Sequence, residues 1–78
     1  MTIRKFDKHV GQKLRLARKN SNYSQKTVAQ LLHIDINKVS RIERGEQSAE
    51  FQDIVQFSRL YNTSLYYFLE DFSNKKKP

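Results

Sequence analysis

An all-α fold is predicted by three observations. Glycine and proline are scarce, with only Gly11, Gly45 and Pro78 in 78 residues. Strand-like alternation is absent. Polar clusters divide the chain into helix-length pieces. A chain of this length makes one domain with a modest core. With no cysteine, neither a disulfide nor a thiolate metal site can support it, so packed helices and oligomerisation must.

Helix 1 is expected from about Asp7 to Lys19. Phe6, Val10, Leu14 and Ala17 make one apolar stripe at spacings of four, four and three. Gly11 lies inside it and is read as a small residue that lets a neighbouring helix come close. Asn20-Ser21-Asn22 ends the helix, with an asparagine in the left-handed conformation as terminator.

Two short helices joined by a tight turn follow over about 24–45. Ser24 and Asp35 each stand where a helix N-cap is wanted. Each follows an apolar residue (Tyr23, Ile34) and is followed four residues later by a valine (Val28, Val39). That cap-and-staple pattern predicts helix 2 over Gln25–Leu32 and helix 3 over Ile36–Arg44. Val28, Leu31 and Leu32 are expected inward on helix 2, and Val39 and Ile42 on helix 3. Asn37, Lys38 and Arg41 are expected outward. Gly45 supplies the stop.

Helix 4 is expected to begin between Ser48 and Phe51 and to end near Tyr61, with Phe51, Ile54, Val55, Phe57 (or Ser58) and Tyr61 on its apolar face. Asn62 is a left-handed stop, and Ser64 caps helix 5 over about Leu65–Asp71. Leu65, Phe68, Leu69 and Phe72, with Tyr66 and Tyr67 between them, are more apolar surface than one short helix can bury in a small core. The domain is expected over 1–72, and residues 73–78 as a basic, disordered tail.

Charge is unevenly placed. Residues 1–44 hold 11 Lys/Arg against Asp7, Asp35 and Glu43, whereas residues 45–74 hold only Arg59 against five acids. The basic side thus lies with helices 1 to 3, which points to a polyanion. No early apolar run suggests a signal peptide, and none approaches a membrane span, so a cytoplasmic protein with no membrane contact is expected. No nucleophile–base constellation, phosphate-cradling glycine loop or metal spacing is present. His9 and His33 are too poorly partnered for a metal site. Neither an enzyme nor a bound cofactor is expected.

Four stretches resemble the lambda-repressor-like helix-turn-helix family, which includes phage Cro and repressor proteins, controllers of restriction–modification systems and antitoxins. Leu14-Arg15-Leu16-Ala17-Arg18 is similar to its helix 1, and Ser24-Gln25-Lys26-Thr27-Val28-Ala29 to the start of its helix 2. Val39-Ser40-Arg41-Ile42-Glu43-Arg44-Gly45 is similar to the end of its recognition helix, and Asn62-Thr63-Ser64-Leu65-Tyr66-Tyr67-Phe68-Leu69 to its fifth helix. The resemblance implies a compact five-helix domain whose helices 2 and 3 form the helix-turn-helix. Two positions depart from it: His33 and Asn62 stand where glycine is frequent.

The resemblance places Ile36, Asn37 and Arg41 at base-reading positions. Asparagine can bond adenine at two points and arginine guanine at two points, and Ile36 can touch a thymine methyl or simply pack. Gln25 and Lys26, at the open N-terminus of helix 2, are expected on phosphate, as are Lys38, Ser40 and Arg44. In the family, the glutamate matching Glu43 pairs with the arginine matching Arg18 and ties helix 3 to helix 1. A regulator of this kind is expected to bind double-stranded DNA as a homodimer on a palindrome. Its dimer contact is expected from Leu65, Tyr66, Tyr67, Phe68 and Phe72. The alternative is an antitoxin-type regulator that also binds a toxin protein.

Overall fold

A computed structural model describes residues 4–73 of the protein. Five helices follow in order: α1 (Lys5–Asn20), α2 (Gln25–Leu32), α3 (Ile36–Glu43), α4 (Phe51–Leu60) and α5 (Leu65–Ser73). The described residues contain no strand. α1 starts two residues earlier than expected. Its N-cap Arg4 makes no side-chain cap, and the first turn closes through the Lys8 N–H donating to the Arg4 carbonyl at 3.1 Å.

The starts of α2, α3 and α5 follow their sequence signals, and α4 starts within the expected range. Ser24 Oγ accepts from the Thr27 N–H at 3.0 Å, and Asp35 Oδ1 from the Asn37 N–H at 2.7 Å. Ser64 Oγ accepts from the Tyr66 N–H at 3.1 Å, while Asp53 reaches back to accept from the Glu50 N–H at 3.0 Å. Each bond satisfies a donor that a helix N-terminus leaves open.

Helices α1 to α4 all stop in the same way. Asn22, His33, Gly45 and Asn62 take left-handed φ values of 62, 59, 77 and 52°. The next N–H then folds back five residues: Tyr23 to the Arg18 carbonyl, Ile34 to Ala29, Glu46 to Arg41 and Thr63 to Ser58, at 2.9–3.2 Å. This is the Schellman closure, here with glycine at one position of four.

The core joins Val10, Leu14 and Ala17 of α1 to Val28, Val39, Ile42, Phe57 and Phe68 of the later helices. Tyr23 and Ile34, which precede the two caps, pack against it. Gly11 is where α1 meets the end of α3. A methyl there would stand 2.3 Å from the Ile42 carbonyl oxygen and 2.6 Å from that of Glu43. Gly45 fits equally tightly, since a Cβ would lie 2.7 Å from Lys8 Cα.

Four apolar expectations need correction. Phe6, Leu31 and Phe51 were expected on buried faces, but Phe6 lies at the exposed edge, Leu31 is half exposed and Phe51 is 71% exposed. α4 is buried through Ile54, Phe57 and Ser58; Phe51 shares their side by spacing, but it is the first residue of the helix and stands exposed at its end. The fourth is Phe68. It was expected at a dimer surface but is fully buried, because α5 packs on α1 with this side chain at the centre of its inner face. Tyr67 lies at the core margin, edge-on to Phe68, under the Lys13 ammonium 4.6 Å from its ring centre. Tyr66 remains outward. The Phe72 side chain and residues 74–78 of the expected tail lie outside the described residues.

Candidate nucleic-acid interface

α2 and α3 are joined by three residues, His33 to Asp35. The left-handed His33 turns the chain, Ile34 drops onto the core and Asp35 opens α3. Val39 and Ile42 then face inward, so Asn37, Arg41 and Arg44 are exposed on the opposite side, and Ile36, the first residue of the helix, is exposed at its edge. Ile36 is 42% exposed, which leaves its side chain available beyond what packing uses.

The angle of α3 is fixed from behind. Arg18 Nε donates to Glu43 Oε2 at 2.7 Å and its Nη2 to Oε1 at 3.1 Å, a two-point ion pair between α1 and α3. The remaining guanidinium nitrogen, Nη1, donates to the Tyr23 carbonyl at 2.8 Å, and Gln25 Nε2 donates to Glu43 Oε1 at 2.9 Å. Glu43 therefore holds α1, α2 and α3 through one carboxylate. The hydrogen bond to Glu43 holds the Arg18 guanidinium above its ordinary pKa, outweighing the opposing effect of burial. Tyr61, stacked on Phe57 and facing Tyr23, closes this region, and burial raises its phenol.

The side chains around α3 are also engaged. Arg41 Nε donates to Gln47 Oε1 at 2.9 Å. Arg44 pairs with Glu46 at 2.9 and 3.0 Å and also donates to Ser40 Oγ. Their hydrogen bond raises the pKa of Arg44 and lowers that of Glu46. Lys38 differs from its expected outward placement. It is half-buried, with Nζ 3.2 Å from Asp53 Oδ1, and so leans toward α4. Lys26 is exposed on the first turn of α2. The Gln25 amide is thus turned back to Glu43, and Lys38 is drawn aside toward Asp53.

The partners Glu46, Gln47 and Asp53 were not singled out by sequence reasoning. They sit in the α3–α4 loop and the first turn of α4, where no periodicity relates them to α3. The opposite charge of Asp53 and Lys38 was visible, but not the approach of their helices. Among the described residues, no cluster of His, Cys, Asp or Glu could hold a metal ion, and no helix is long and apolar enough to cross a membrane.

Two short helices at a tight turn, with an exposed polar and basic face on the second, define a helix-turn-helix unit. The chain belongs to the helix-turn-helix domain family, whose model matches residues 9–65. It is 34% identical over 68 residues to the HTH-type transcriptional regulator ImmR of Bacillus subtilis, covering 87% of this chain and 54% of that protein. It is 32% identical over 69 residues to an uncharacterized HTH-type transcriptional regulator of Sinorhizobium fredii, y4wC, covering 88% and 48%. The chain thus spans about half the length of these curated relatives. No solved structure matches it significantly.

Proposed function

We propose that the protein is a sequence-specific DNA-binding transcriptional regulator of the lambda-repressor-like type, acting in the cytoplasm as a dimeric repressor on a palindromic operator. The observation that carries this reading is the exposed face of α3, Ile36, Asn37 and Arg41, on a helix clamped from behind by Glu43. Asn37 and Arg41 supply the hydrogen-bond patterns that separate adenine and guanine from the other bases in the major groove. Gln25, Lys26, Lys38, Ser40 and Arg44 would fix register on phosphate. In that role Lys38 and Arg44 would exchange their carboxylate partners for phosphate oxygens, and Gln25 would act through its amide oxygen or the open N–H groups of its turn.

One recognition helix reads few base pairs, so a second copy is part of the proposal. With Phe68 in the core, the α5 contact rests on the exposed Tyr66 with Leu65 and Tyr67 at its edge. Selection of binding sites from random duplex DNA tests the reading. A palindrome with half-site centres roughly 34–36 Å apart is expected; no enrichment overturns it.

A second reading, an antitoxin-type regulator that also holds a toxin protein, is favoured by one observation. A groove of about 520 Å³, lined by Leu32, Phe51, Val55, Leu60 and Arg59 among others, is open to solvent beside α4. A toxin that co-purifies with the protein and is released by Phe51→Asp would support that reading.

A further inference from the structure

α1 carries an unneutralised row of positive charge that the reading helix does not account for. Lys5, Lys8, Gln12, Arg15 and Lys19 recur at spacings of three, four, three and four, so they line one side of the helix, and all five are exposed. None of the four cations forms a salt bridge among the described residues. On α3 the situation is reversed: Lys38, Arg41 and Arg44 each have a side-chain partner from the same chain. The single acid of α1, Asp7, does not neutralise the row. It accepts a 2.7 Å hydrogen bond from Ser48 Oγ and lies 3.7 Å from Arg4. Lys13, on another side of the helix, covers the Tyr67 ring instead.

Like charges at these spacings weaken a helix, by about 0.2–0.5 kcal/mol per pair. A face that served only solubility would gain from alternating signs. The row is also placed beside α3: its member Lys8 lies under Gly45, the residue that ends the reading helix. From Lys5 to Lys19 it runs for about 21 Å along the axis. A DNA strand carries one phosphate per about 3.4 Å of duplex axis, so a row of this length can meet several of them.

We infer that the Lys5–Lys8–Arg15–Lys19 row is a second, sequence-independent DNA site that holds the phosphodiester backbone flanking the segment read by α3. This rests on the DNA-binding reading above. α3 selects the sequence, while α1 adds affinity that depends on duplex length and salt.

The test compares the parent with a Lys8→Gln, Arg15→Gln, Lys19→Gln triple variant on the selected site, in a short duplex and in one extended by about one helical turn at each end. All three positions are exposed, and circular dichroism confirms that the variant is folded. Each lost phosphate contact lowers the slope of log affinity against log salt by about 0.9. The variant is therefore expected to show a slope lower by about 2–3 and to lose the gain from the added flanks, with its base preferences unchanged. A variant that matches the parent in both slope and flank gain overturns the inference and returns the row to a protein partner or to solvent. A parent that selects no duplex at all overturns the underlying DNA reading instead, so the two failures are distinct.

Discussion

Arg18 of α1 and Glu43 of α3 meet in a two-point ion pair whose side chains are only 11% and 4% exposed. Twenty-five residues apart in sequence, they set the position of the helix proposed to read DNA. A charge this buried is strongly destabilising once its partner is removed, by about 3–5 kcal/mol. Glu43→Ala is expected to lose stability in that range by urea denaturation. Gln25→Ala, which removes one neutral donor to the same carboxylate, is expected to lose only about 0.5–1.5 kcal/mol. Equal, small losses for both would show that Glu43 is not the junction of the three helices.

Gly11→Ala sets two effects against each other. Alanine favours the helix by about 1 kcal/mol. Its methyl, however, would press on the Ile42 and Glu43 carbonyls, backbone atoms that cannot turn aside. Overpacking of this kind costs about 1–3 kcal/mol, so a net loss of up to about 2 kcal/mol is expected in thermal or urea unfolding. A more stable variant would mean that α1 and α3 separate easily.

Most helix boundaries were legible in the sequence because caps and stops are local. Ser24, Asp35 and Ser64 cap within two or three residues of themselves. Asn22 and Asn62 stop helices by their own backbone tolerance. What was not legible depends on which helix lies opposite. Lys38 finds Asp53, Gln25 finds Glu43 and Phe68 finds the core floor only through tertiary packing. Aromatic content alone could not tell that α5 would bury Phe68 and expose Tyr66.

His33 holds a left-handed φ of 59° without being glycine. That conformation costs a side-chain-bearing residue roughly 1–2 kcal/mol, part of which glycine would give back in backbone entropy. His33→Gly is expected to raise stability by about 0.5–1 kcal/mol, while the β-branched His33→Val lowers it. A destabilised glycine variant would show that the imidazole itself contributes to the turn.

Tyr61 is buried, and its hydroxyl has no hydrogen-bond partner among the described residues. Burial raises its pKa, so folding favours the neutral phenol. Its contribution is complete below the unfolded value of about 10 and is lost as pH rises through the higher folded value. Tyr61→Phe is expected to flatten the loss of stability above about pH 10 and to be neutral or stabilising at pH 7. An unchanged alkaline limb in denaturation against pH would place the titrating group elsewhere.

The claim that α3 reads base pairs is tested most directly by repeating the random-duplex selection with Arg41→Ala. The account predicts a site that keeps its length and symmetry but loses preference at one base pair in each half, worth about 1–3 kcal/mol. A selected site identical to that of the parent at every position would contradict it.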